Sequence, residues 1–340
     1  MILPLAACSS SSSVSVGPEI TDQGYVIDGY IEGASVSRLN ESGNTVLTDE
    51  TGAFNGLTGK GAIVAEGGID LATGMPFLGQ LRAPEGAGVV TPLTTLVEAL
   101  VAGQEMTLDN ANAKVSQTFG LGEVELTTLD PLAAGTENLE VYRAGVQIAN
   151  MLNQAGTDGS YSLAESLADT LTAESDVSLA DLLTDPDFLE PMFTDPGTGN
   201  AELGSALARV LADQNVRTRE ADSFESIAAQ QVTLTGSAGD IQVLAESGLG
   251  FASIKVIKID PISDAALVEL VLSATEGLTP SVVLTEVRLP IEQLEDLPSL
   301  SDGQRITSLV IDGSDADPGV ELNLSGLSNV DEVTYTNGAG

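Results

Sequence analysis

The sequence predicts an α+β multidomain protein: a small antiparallel β-sandwich, a central helical bundle and a C-terminal all-β domain. Three observations predict it. From Tyr25 to about Val90, short runs rich in β-branched residues alternate with turn signals. From Thr91 to about Gln231 the apolar period becomes that of amphipathic helices. From Val232 onward short β-type runs return at sandwich-like spacing. The expected domains are therefore 25–90, 91–231 and 232–340, preceded by a leader remnant over 1–7 and a Ser-rich tether over 8–24.

In the first domain, Tyr25-Val26-Ile27, Ala34 to Leu39 and Asn44 to Thr48 read as strands. Asp28-Gly29, Asn40 to Asn44 and Asp49-Glu50-Thr51-Gly52 supply the turns between them. Ala62 to Ala65 and Pro76 to Leu81 add further strands, with Gly67-Gly68 between. The stretch DGYIEGASVSRLNESGNTVLTDETGAF, with its variable turn followed by T-D-x-x-G-x-F, resembles the Greek-key β-domains of carboxypeptidase regulatory-like and B-type repeats. The continuation to TPLTTLVEAL is similar to segments of large bacterial surface and adhesin-like proteins. That resemblance covers roughly residues 25 to 155 and implies architecture rather than an activity.

The helical region opens cleanly. Thr91 caps, Pro92 occupies the first helical position, and Leu93, Leu96, Val97, Leu100 and Val101 form one stripe. Thr107 opens a second helix, which Gly120 ends. Asn138 to Ala155 gives a third, and weaker helices follow at Ser162 to Ala173 and Ser178 to Leu183. Asn200 to Gln231 holds one long helix or two shorter ones. Asp185-Pro186-Asp187 and Thr194-Asp195-Pro196-Gly197 read as turns.

Beyond Val232, seven runs read as strands: Val232 to Thr235, Ile241 to Leu244, Ile254 to Ile259, Val268 to Leu272, Val282 to Leu289, Ile306 to Ile311 and Val320 to Leu324. No internal period is regular enough to define a repeat.

The N-terminus gives an address. Leu5-Ala6-Ala7-Cys8 resembles the lipobox of bacterial lipoproteins, in which small residues precede an acylated cysteine. The resemblance implies cleavage before Cys8 and a lipid anchor on it, a palmitate-type modification. Several buried acyl chains, at about 0.8 kcal/mol per CH₂, hold a protein stably in a membrane. Ser9 after the cysteine, by likeness to enterobacterial sorting, implies the outer membrane. No later run of 18 apolar residues exists to span a bilayer.

Composition excludes much familiar chemistry. The chain has no His, and Cys8 is its single cysteine, so there is no His-dependent triad, Cys-His dyad, intrachain disulfide or zinc cluster. No G-x-S-x-G or S-x-x-K occurs. Gly59-Lys60-Gly61 is a turn rather than a phosphate loop, since no Ser or Thr follows the lysine. No dinucleotide-binding glycine pattern follows a strand. Fifty acidic residues against twelve basic ones give a net charge of −38. That field repels nucleic acid and anionic headgroups, and attracts divalent cations and basic surfaces. Aromatics make up only 4%, with no Trp, which argues against sugar or base stacking.

Calcium is the small ligand the residues favour. Asp312, Asp315 and Asp317 cluster in IDGSDADPG after a strand, and hard oxygen ligands at short spacing suit Ca²⁺. The D-x-D-x-D-G order of an EF-hand is absent, so an acidic solvated turn stands beside that reading. Asp260 and Asp264 around Pro261 read as turn chemistry. The sequence thus points to a non-enzymatic, lipid-anchored envelope protein of the outer membrane that binds other envelope proteins, extracellular proteins or matrix. Adhesion or cell-surface association is the foremost role. An accessory subunit of a secretion or uptake complex is the second. A hydrolase using a pair of carboxylates is the third.

Overall fold

The computed structural model describes residues 22–39, 44–133, 138–173, 178–194, 201–247, 250–259, 265–291, 293, 305–313 and 330–336. The chain begins with ten short strands: β1 (Asp22–Val26), β2 (Ile31–Glu32), β3 (Ser35–Arg38), β4 (Val46–Leu47), β5 (Ala53–Leu57), β6 (Ile63–Glu66), β7 (Ile69–Asp70), β8 (Met75–Pro76), β9 (Gln80–Ala83) and β10 (Val89–Val90). They form sheets ordered β4-β3-β6-β9, β10-β1-β5 and β2-β7-β8. All pairs are antiparallel except one. β10 runs parallel to β1, with Tyr25 opposite Val89 and Val26 opposite Val90, which departs from the expected wholly antiparallel module. The chain reaches that position by passing through the other sheets first, so it arrives from the same end as β1.

The turn of the T-D-x-x-G-x-F stretch is built by one carboxylate. Asp49 Oδ1 accepts from the backbone N–H groups of Thr51 and Ala53, at 2.8 and 3.0 Å, and from the Thr51 hydroxyl at 2.7 Å. Gly52 turns at φ +73°, and a Cβ there would lie 2.9 Å from the Val26 carbonyl oxygen. The turn therefore needs glycine both for its backbone and for its approach to β1.

Seven helices follow: α1 (Pro92–Gly103), α2 (Leu108–Thr118), α3 (Leu139–Ala173), α4 (Leu179–Leu182), α5 (Pro186–Phe193), α6 (Ala201–Glu220) and α7 (Phe224–Gln231). The Thr91 cap forms as expected and is reciprocal. Thr91 Oγ1 accepts from the Thr94 N–H at 3.1 Å, and Thr94 Oγ1 accepts from the Thr91 N–H at 2.7 Å. α3 is two helices joined at Gly156, whose φ of 68° breaks the ladder. Ser160 Oγ donates there toward the Gly156 and Leu152 carbonyls, at 2.6 and 3.0 Å, and accepts from the Gln80 N–H. Asp185-Pro186-Asp187 is not a turn. Asp185 caps α5, accepting from the Asp187 N–H at 3.0 Å, with Pro186 in its first position.

Strands and helices share one core. Val26, Val36, Phe54 and Leu81 pack with Leu96 and Leu100 of α1, Ile148 and Leu152 of α3, and Leu211 of α6. The approach is close. A Cβ on Gly79 would lie 3.1 Å from the Leu152 backbone, and Asn153 Oδ1 accepts from the Leu78 N–H at 2.9 Å.

The C-terminal region corrects the all-β expectation. It runs β11 (Thr233–Gly236), α8 (Ala238–Ser247), β12 (Val256–Ile259), α9 (Ala265–Ala274), β13 (Val283–Thr285), β14 (Val287–Pro290), β15 (Ser308–Asp312) and β16 (Glu332–Thr336). Two of the expected strands, Ile241 to Leu244 and Val268 to Leu272, lie inside α8 and α9. The Val320 to Leu324 run lies outside the described residues. Among the described residues every strand pair here is parallel, in two sheets ordered β11-β12-β13 and β14-β15-β16, and within each sheet a strand pairs with its neighbour in sequence. A Leu284–Ile306 bridge joins the two halves, while Glu286, at φ 56°, breaks β13 from β14. The result is a coil of five parallel ranks. Thr233 pairs with Val256, Val256 with Val283, Leu284 with Ile306 and Leu309 with Val333, so each turn takes 22 to 27 residues. Parallel neighbours require a crossover, and α8 and α9 supply the first two. Leu234, Ile257, Leu284 and Ile306 stack as a buried aliphatic ladder along its interior.

Candidate functional site

Two buried carboxylates, neither of which stands out in the sequence, line one cavity. Asp28 follows β1 at the start of the Asp28-Gly29 turn, and Asp70 ends β7. They are only 3% and 2% exposed. Gly29 makes room for them. A Cβ there would lie 2.0 Å from Asp70 Oδ1, so the turn admits no side chain without a shift. Asp70 is well held: Oδ1 accepts from the Ala72 N–H at 2.9 Å and Oδ2 from the Thr73 hydroxyl at 2.8 Å.

Asp28 is held less completely. Its Oδ2 accepts from the Gln231 side-chain amide at the end of α7, across 203 residues of sequence. Its Oδ1 has no hydrogen-bond partner, and neither does Gln231 Oε1. Burial, and next the Asp70 charge, push the Asp28 carboxyl well above the usual carboxylate range, which the Gln231 bond offsets only in part. Burial raises the Asp70 carboxyl too, against its hydrogen bonds from Thr73, Ala72 and Gly29.

Asp28 lines two cavities. One lies among Ile27, Thr91, Leu126 and Tyr142. The Tyr142 hydroxyl is buried there without a partner. Burial, then the Asp28 and Asp70 charges, keep that phenol protonated by raising it well above its ordinary value. The other cavity is bounded by Asp70, Thr73, Asn153, Gln231 and Ser253. The β-module, α3, α7 and the opening of the coil all meet at this point. The Thr73 hydroxyl and Ser253 adjoin the carboxylates there, and no Lys or Arg lines the cavity.

Of the residues singled out from the sequence, Asp312 alone is described, and it lies elsewhere. Asp312 ends β15, half-buried beside Gly313. Asp315 and Asp317, its expected partners around Ca²⁺, lie outside the described residues, as do Cys8, Asp260 and Asp264. Among the described residues no group of three or more His, Cys, Asp or Glu side chains could hold a metal ion. No described helix is long and apolar enough to cross a membrane. The only sequence signal for Asp28 is its place in an Asp-Gly turn, and for Asp70 there is none, because burial by residues far along the chain is what distinguishes them. No protein-family model matches the chain, nor does any curated protein or solved structure.

Proposed function

We propose that this protein is a lipid-anchored bacterial envelope protein with a non-catalytic role, binding other envelope proteins, extracellular proteins or matrix through its C-terminal coil. One observation carries the reading: β16, the outermost described rank of the coil, is exposed along its length. All five residues of β16 are exposed, including Val333 and Tyr335, at 37% and 43%. An exposed strand of a parallel sheet is a surface that a partner extends or covers. On this reading the N-terminal strands act as a sandwich-like module and the helices as a bundle that carry the coil, and the Cys8 anchor and Ser tether hold the whole at the outer membrane.

The burial of Asp28 and Asp70 supports this over the carboxylate-pair hydrolase, whose acids must reach both a substrate bond and a water. The accessory-subunit reading differs from adhesion only in the partner.

Two variants test the proposal. Cys8→Ala releases the protein from the membrane fraction into the soluble one. Val333→Lys leaves anchoring and folding intact but reduces attachment of cells to matrix-coated surfaces. Continued membrane fractionation of Cys8→Ala overturns the anchor, and full attachment with Val333→Lys overturns the role of the coil.

A further inference from the structure

We propose that Asp28, Asp70 and Gln231 form a buried site for a single Ca²⁺ ion, which ties the β-module to the end of α7. Four features converge on it. Two carboxylates line one cavity, each almost wholly removed from water. No Lys or Arg lines that cavity, so the two charges have no protein counter-ion there. Buried like charges without compensation are costly, and a bound divalent cation neutralises two carboxylates.

The third feature is unsatisfied coordination. Asp28 Oδ1 and Gln231 Oε1 are lone-pair donors buried without a hydrogen-bond partner, and Gln231 is only 6% exposed. Orphaned oxygens of this kind are rare, and each leaves a group desolvated for no return. A cation satisfies both, whereas a further carbonyl acceptor would not. The fourth is the wall of the cavity. Thr73, Asn153 and Ser253 line it with neutral oxygens, of which the Thr73 hydroxyl already donates to Asp70 and Asn153 Oδ1 already accepts from the Leu78 N–H. A mixed set of carboxylate, amide and hydroxyl oxygens suits Ca²⁺, which accepts 6 to 8 ligands in irregular geometry, better than Mg²⁺, which demands a strict octahedron.

This site is distinct from the Asp312 turn. It joins Asp28, just after β1, and Asp70, at the end of β7, to Gln231, where the helical region passes into β11. Calcium would therefore stiffen the joint on which the coil is carried.

Calcium titrated by calorimetry into the chelator-treated full chain, with melting curves alongside, tests the proposal. The expected result is one site per chain, with a dissociation constant at or below about 1 mM, as for extracellular calcium modules. Calcium raises the melting temperature, and Mg²⁺ at the same concentration raises it less. Asp28→Asn and Asp70→Asn each weaken binding at least roughly tenfold, a loss of at least about 1.4 kcal/mol. Asp28→Asn melts no lower than the wild type in chelator, because it removes an uncompensated buried charge, so the loss of binding is not a loss of fold. Asp312→Asn leaves binding unchanged. Three results overturn the proposal: no heat and no shift at about 10 mM Ca²⁺, a single site that survives Asp28→Asn, or a site abolished by Asp312→Asn alone.

Discussion

At the scale of single residues, buried charge is the recurring theme in a chain this acidic. Glu98 is the case with a measurable consequence away from the carboxylate pair. It lies on α1 and is buried, beside Arg82, whose guanidinium sits 3.4 Å from the centre of the Tyr161 ring. Burial pushes the Glu98 carboxyl above its usual range, and the Arg82 charge offsets this in part. A carboxyl whose folded value is raised favours its protonated form in the native state. Its contribution is fully present below the unfolded value, about 4.3, and is lost as pH rises through the folded value. Glu98→Gln mimics the protonated form. It is expected to melt above the wild type at pH 7 and to lose that advantage by about pH 4, where wild-type Glu98 is itself protonated. Paired melting curves across that range check it, and a constant difference at every pH would show that packing, not charge, sets the change.

At the scale of elements, α6 decides how the molecule holds together. Leu203, Ala206, Leu207 and Val210 of this helix enter the core of the coil, while Ala208, Leu211 and Ala212 enter the core shared by strands and helices. Arg209 crosses to Asp240 of α8, its guanidinium Nε donating to Oδ1 at 2.8 Å. Truncation on either side therefore tests whether the two cores unfold together. Leu207→Ala and Leu211→Ala are each expected to cost about 2–5 kcal/mol, and each to shift one common transition seen by both far-ultraviolet circular dichroism and tyrosine fluorescence. Separate transitions, with Leu207→Ala moving one and Leu211→Ala the other, would mean that α6 does not couple the cores.

Most of the helices from Thr91 to Gln231 were legible because caps and 3.6-residue stripes are local signals, as at Thr91-Pro92 and at Thr107, whereas α5 was not, because Asp185-Pro186 starts a helix with the same residues that make a turn. The coil was not. Ile241-Gln242-Val243-Leu244 and Val268 to Leu272 are short apolar runs, and such runs fit a buried helix as well as a strand. The turns of the coil also vary in length, which hides the period that parallel pairing makes plain. Asp28 and Asp70 were illegible for a different reason. Each looks like any other acidic turn residue until Gln231, more than 160 positions away from either, closes over them.

At the scale of the whole molecule, a net charge of −38 sets the conditions under which the other effects are read. Self-repulsion of that size destabilises the folded state, and salt weakens it, since the screening length falls from about 30 Å at 0.01 M to about 3 Å at 1 M. The six ion pairs among the described residues do little to counter it, because most involve an exposed partner and salt weakens those as well. The melting temperature is therefore expected to rise with NaCl between about 0.01 and 0.5 M, and to rise equally with KCl, because screening does not depend on which monovalent cation supplies it. Calcium would act on top of this at concentrations where its contribution to ionic strength is negligible. A melting temperature that falls with NaCl would mean that the ion pairs outweigh the repulsion. A response to KCl different from that to NaCl would mean that monovalent cations occupy specific places among the carboxylates, and competition between Na⁺ and Ca²⁺ would then show whether the buried pair is one of them.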